Sequence, residues 1–147
     1  MTCSNIVIGS DHAGLALKRE CMVYLESKNV SVEDMGTNSE DSCDYPEFAV
    51  KVCNRVLESD SLGILICGTG LGMSMTANRF SKIRAALCTN EVMARMARKH
   101  NNSNILCMGA RIIGPDLAES ILEAFLNTEF DGDRHQKRID LIESLTR

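Results

Sequence analysis

A thiol beside a run of glycines is the strongest chemical signal in this chain. Cys67-Gly68-Thr69-Gly70-Leu71-Gly72 follows the apolar run Leu62-Gly63-Ile64-Leu65-Ile66 and leads into a segment of helical character. This order sets a cysteine where a buried strand ends, beside a loop that opens a helix. Ligands bind at the carboxyl ends of strands in open α/β sheets. Exposed backbone N–H groups and the positive end of a helix dipole favour an anion there, and the same field stabilises a thiolate. The stretch therefore offers a base or nucleophile together with a cradle for negative charge. The competing reading is a tight strand-to-helix turn over a cysteine that merely fills the core. The loop is neither a dinucleotide fingerprint, because Met73 holds the third glycine position, nor a Walker A loop, because the Lys-Ser/Thr pair is missing.

Asp11-His12-Ala13-Gly14 sits at the end of another apolar run. Asp11 can move a proton or orient a hydroxyl, and His12 can contact a phosphate; equally, Asp11 suits a helix cap and His12 an ordinary surface position. Tyr45, before Pro46, either flanks a ligand or covers the edge of the core. His100-Asn101 ends a helix whose last turn carries Arg98 and Lys99, a pattern that a helix C-terminus explains without any function. Arg134 and Arg138 share a helix face, and pairing with Asp131, Asp133, Asp140 or Glu143 would account for them as a solvated surface. Arg111 follows a strand and can face a pocket mouth. His135 has no partner visible in the sequence.

The elements that must position these residues alternate. Strands are expected over Asn5–Gly9, Val30–Met35, Leu62–Ile66, Ile83–Leu87 and Asn104–Met108. The first helix runs to about Lys28, with Leu17, Cys21, Tyr24 and Leu25 on one buried face. After a polar loop from Gly36 to Asp44, Pro46 opens a helix to about Ser59. Further helices cover about Leu71–Arg79, a segment capped by Asn90 and ending near His100, and Gly114-Pro115 to about Asn127. Asp131-Gly132-Asp133 breaks the pattern before a last helix to about Leu145. Such alternation predicts a three-layer α/β/α, Rossmann-like domain with a five-stranded parallel sheet. The expected order is the common doubly wound 2-1-3-4-5, which makes strands one and three neighbours and brings Asp11, His12 and Cys67 to the switch point.

The 147 residues suit one domain spanning 1–147. Sixteen basic and 20 acidic residues give a formal net charge of −4, which argues against nucleic acid as a partner, as does the absence of Trp. No apolar run approaches the ~20 residues of a membrane span, and the first residues do not read as a secretion signal. Seven scattered cysteines with no CxxC pair suit free thiols and a cytoplasmic location.

Taken together, Gly9-Ser10-Asp11-His12-Ala13-Gly14, Asp44-Tyr45-Pro46, Cys67 to Gly72, His100-Asn101, Gly109-Ala110-Arg111 and the pair Arg134/Arg138 resemble the ribose-5-phosphate isomerase B family, which also contains the galactose-6-phosphate isomerase subunits. The resemblance covers nearly the whole chain. It implies interconversion of ribose 5-phosphate and ribulose 5-phosphate in the pentose phosphate pathway, without metal or organic cofactor. By the same resemblance, Cys67 is the base that shuttles a proton between C2 and C1. Some members use a carboxylate instead, so the thiol places this chain in the cysteine branch. Thr69 and the backbone of Gly68, Gly70, Leu71 and Gly72 would hold the enediolate oxygens. His100, with Asp11, would assist ring opening. His12, Arg134 and Arg138 would bind phosphate, while Asn101, Arg111 and Tyr45 complete the pocket. His100 falls at a helix-to-strand turn, on the opposite edge of the sheet from Cys67. The expectation is therefore a site shared between subunits of a homodimer or a dimer of dimers. The alternatives are an allose or galactose 6-phosphate isomerase and a non-catalytic sugar-phosphate sensor; a flavodoxin-like electron carrier is disfavoured by the scarcity of aromatic residues to sandwich a flavin.

Overall fold

A computed structural model describes residues 5–146. Cys3 and the first residues, read above for a leader, lie outside that range. Five parallel strands form one sheet: β1 (Asn5–Ser10), β2 (Ser31–Asp34), β3 (Leu62–Cys67), β4 (Ala85–Leu87) and β5 (Ile105–Gly109). The helices are α1 (Leu15–Ser27), α2 (Tyr45–Ser59), α3 (Leu71–Ala77), α4 (Glu91–Asn101), α5 (Pro115–Leu126) and α6 (Arg134–Leu145).

Strand residues alternate between two buried layers, as the period of two in a strand requires. Ile6, Ile8, Ile64, Ile66, Leu106 and Met108 pack beneath α1, α4 and α5. Val7, Leu65, Cys67, Ile105 and Cys107 pack beneath α2 and α3. The face expected on α1 is present: Leu17, Cys21 and Leu25 are buried and Tyr24 packs against them.

The strand order is β2-β1-β3-β5-β4, which corrects the expected 2-1-3-4-5 at its far end. A buried parallel strand needs apolar residues on both faces. Ile105-Leu106-Cys107-Met108 is fully buried and takes the interior place. β4 has only three residues, all half-buried, and lies at the edge, where short strands leave little unpaired backbone. The order matters for the site because it sets Gly109 beside Cys67 in register. The neighbouring strand one and strand three ends remain as expected.

Candidate active site

Two groups of residues emerge, at opposite ends of the sheet. The first lies where β1, β3 and β5 end. Asp11 is buried and its Oδ1 accepts the Gly14 N–H at 3.0 Å, closing a short 3-10 turn over His12–Gly14. The cap reading of Asp11 is thus realised, and its second carboxylate oxygen is not used by that bond. His12 is held by the loop before α2: the Cys43 N–H donates to its Nδ1 at 3.2 Å. An imidazole nitrogen that accepts carries no proton, so the ring proton belongs on Nε2, which is left as a donor.

Cys67 is buried at the end of β3, and its Sγ accepts the Gly70 N–H at 3.1 Å. That bond depends on a left-handed backbone at Gly70, φ 80°, as the chain turns into α3. The Leu71 N–H donates to Thr69 Oγ1 at 3.3 Å, which fixes the exposed hydroxyl and leaves its proton free to donate. Arg111 is tied to the same loop through its N–H on Gly68 O at 2.9 Å, and its guanidinium lies over Gly68. The Tyr45 ring, partly exposed, covers Gly72. The structure therefore brings together Asp11, His12, Tyr45, Cys67 to Gly72 and Arg111.

It does not bring His100, Asn101, Arg134 and Arg138 to that cluster. α4 runs back along the sheet and ends at the amino edge of the strands. There Arg84 donates to Asn101 O at 3.0 Å, and Gly63 at the start of β3 donates to Asn104 O at 2.8 Å. His100 stacks on His135 of α6, with ring centroids 4.3 Å apart and planes within 10°. His135 is buried. Burial, followed by the nearby His100, Arg134 and Arg138, pushes its pKa down from the usual histidine range. The exposed Arg134 and Arg138 follow on the same helix. Of the acids named for them in the sequence, Asp131 pairs with Lys99 at 3.6 Å, Asp140 accepts from Gln136, and Glu143 accepts from Ser81 and the Lys82 N–H. Among the described residues neither arginine forms a salt bridge, to Asp133 or to any other acid.

Sequence reasoning missed His135 and Cys43. The only signal for His135 was its place beside Arg134, and nothing local pairs Cys43 with a residue 31 positions away. His100, Asp131 and His135 bring ligand atoms within 4.8 Å of one another. With Lys99, Arg134 and Arg138 around them, the group suits an anion far better than a metal ion. A concavity of about 750 Å³ is lined by Lys82, Arg84, Arg98 and Asn102 among others and contains none of the candidate catalytic or substrate-binding residues. Arg84 and Arg98 there already donate to backbone carbonyls, so volume alone does not locate the chemistry.

A ribose/galactose isomerase family model matches residues 6–142. The chain belongs to that family. It is 42% identical to the ribose-5-phosphate isomerase B of Escherichia coli over 142 residues, 95% of each chain. A ribose 5-phosphate isomerase structure from Thermotoga maritima superposes with a TM-score of 0.94 at 52% identity, covering 96% of this chain and 98% of that one. Ribose-5-phosphate isomerase B from Mycoplasma genitalium, solved with ribulose 5-phosphate bound, gives 0.93 at 43% identity, covering 97% and 95%. No helix among the described residues of this family member is long and apolar enough to cross a membrane.

Proposed function

We propose that this chain interconverts ribose 5-phosphate and ribulose 5-phosphate with Cys67 as the base, in a pocket completed by a second copy of itself. The reaction is the one named for relatives that match it over nearly their full length. The observation that carries the assignment of the base is the Cys67 thiol at the sheet's carboxyl edge with the Gly70 N–H on its Sγ.

In the open-chain sugar, the hydrogen on C2 is acidified by the adjacent C1 carbonyl. Cys67 takes it as a proton and the electron pair forms an enediolate; the hydroxyl proton on O2 passes to O1 as the C2 carbonyl forms, and the proton held by Cys67 returns to C1 to give the ketose. The charge that develops on oxygen needs donors already in place. Thr69 Oγ1, oriented by the Leu71 N–H, and the loop N–H groups supply them. His12 offers Nε2–H toward phosphate, and Arg111 adds positive charge over Gly68. Asp11 can orient a sugar hydroxyl from the end of β1.

His100, Asn101, Arg134 and Arg138 enter from the partner, His100 for ring opening and the arginines for phosphate. Two observations support a second copy. Among the described residues Arg134 and Arg138 make no salt bridge, and the β4 edge carries an apolar surface. Leu71, Met75, Val92 and Met93 are exposed around that edge, and Ala86, Leu87, Met93 and Met96 line a groove on it. Open strand edges and contiguous apolar patches invite such pairing. The six free cysteines among the described residues suit a reducing compartment, and we place the protein in the cytoplasm as a single isomerase domain.

The test is turnover of ribose 5-phosphate, with allose 6-phosphate and galactose 6-phosphate alongside, by wild type and Cys67→Ser. Ribose 5-phosphate should be preferred, and the variant should lose roughly 10²- to 10⁴-fold in rate, the usual span for a positioned acid–base group. Preference for a hexose phosphate would keep the base and change the substrate. Wild type that binds phosphosugar without turnover would make the chain a sensor.

A further inference from the structure

Lys18 plays no part in the chemistry above, yet its surroundings are built with unusual care. It lies on α1 with its side chain fully buried. Its Nζ donates to both oxygens of Asp34, at 2.7 and 2.6 Å, to Thr37 O at 2.8 Å, and lies 3.3 Å from Asn38 Oδ1. Every acceptor belongs to the end of β2 or the loop that follows it. Asp34 Oδ1 also accepts the Gly36 N–H at 3.0 Å.

That loop is pressed against the last residues of β1. Met35 N–H donates to Ile8 O at 2.8 Å, and Thr37 N–H to Ser10 O at 3.0 Å. Gly36 crosses so close to the Ser10 N and the Gly9 Cα that no side chain fits there. The far end of the same loop carries Cys43, whose N–H fixes His12, and leads into α2, whose first residue, Tyr45, lays its ring over Gly72. An ion pair beneath the sheet therefore anchors one end of a loop whose other end sets two residues of the pocket.

We infer that Lys18 is a positioning residue for the isomerase reaction, acting through the Asp34–Asn38 anchor on the placement of His12 and Tyr45. Its contribution to catalysis rests on the active-site reading given above; its control of His12 does not. Burying a charge without its partner is costly, so the informative variant is the double one, Lys18→Met with Asp34→Asn, which removes both charges and keeps the volumes. Lys18→Met alone serves as the unbalanced comparison.

Two readouts apply to the folded double variant. The first is kcat and KM for ribose 5-phosphate. Misplacement of a binding group by about 1 Å costs on the order of 100-fold, and the loss in kcat/KM should fall mainly on KM, because Cys67 and its loop do not touch the anchor. Iodoacetamide should accordingly modify Cys67 of the substrate-free variant at the wild-type rate. The second is the ¹⁵N spectrum of His12, whose Nδ1 signal should move toward that of an imidazole free of the Cys43 N–H. Unchanged His12 signals, or kcat and KM within twofold of wild type in folded protein, would overturn the inference. If wild type itself turns over no ribose 5-phosphate, the reading of the site fails, while the His12 signals still decide whether Lys18 governs the loop.

Discussion

Mixing two inactive variants should restore activity, if the site is shared as argued. The structural reason is a distance. Gly63 is in register with Ile105, and Cys67 with Gly109, so four residues of strand separate the amino edge from the thiol. At ~3.3 Å per residue that is about 13 Å, and His100 lies on the far side of the Ile105 end. A histidine side chain cannot span it, so the shared-site reading takes the His100 that acts beside Cys67 from a second chain. Cys67→Ala and His100→Ala homo-oligomers should each fall by roughly 100-fold or more, as loss of an acid–base group does. In a two-fold arrangement each site takes Cys67 from one chain and His100 from the other. After equal mixing and free exchange, about half of the dimers are mixed. Each mixed dimer holds one intact site and one doubly deficient site, so activity should return to about one quarter of wild type. The assay is ribose 5-phosphate turnover after brief denaturation and joint refolding, with subunit exchange confirmed by native mass spectrometry of tagged chains. Activity that stays at the level of the separate variants, with exchange proven, would refute the shared site and require His100 to act elsewhere.

Other outcomes follow from the same geometry. Gly70→Ala puts a Cβ 2.5 Å from Leu87 Cδ1 and 2.9 Å from the Met108 carbonyl carbon, on a backbone at φ 80°. Left-handed strain of ~1–2 kcal/mol with overpacking of ~1–3 kcal/mol should lower stability by about 2–5 kcal/mol in urea titrations, and an unchanged midpoint would contradict it. Burial pushes the thiols of Cys21, Cys53 and Cys88 up to about 12, and that of Cys107 well above its usual value. Iodoacetamide near neutral pH should therefore spare these four and modify the half-buried Cys43 and the loop-bound Cys67, with phosphosugar protecting Cys67; peptide mapping that finds Cys67 as inert as Cys107 would remove the case for a competent base. Burial and the nearby cations depress the pKa of His135 in the folded chain. Below the ordinary histidine value of about 6.5 the unfolded chain takes up the proton first, so stability falls as pH drops from there toward the depressed folded value. Melting temperatures between pH 7 and pH 5 should fall more steeply for wild type than for His135→Gln, and parallel curves would exclude this linkage.

Much of the molecule was legible locally. Alternation of apolar runs with helical faces marks all five strands and six helices, because a strand's period of two and a helix's of 3.6 are properties of neighbouring residues. Asn90 caps α4 through Met93 N–H as its residue type predicts. Cys67, Thr69, Asp11 and His12 could be chosen because strand ends and glycine loops are written in consecutive positions.

What tertiary structure alone decided is pairing at long range. β5 displaced β4 from the interior because burial on both faces selects among strands after all of them have formed, and that choice put Arg111 over Gly68. Cys43 reached His12, His135 reached His100, and Lys18 reached Asp34 across 31, 35 and 16 positions. No local pattern encodes such contacts, because each depends on how separate helices and loops settle on the sheet. The sequence by itself determined which elements form, with their ends placed to within two residues; the fold decided which of those ends meet, and left Cys67 and His100 at opposite edges of one sheet.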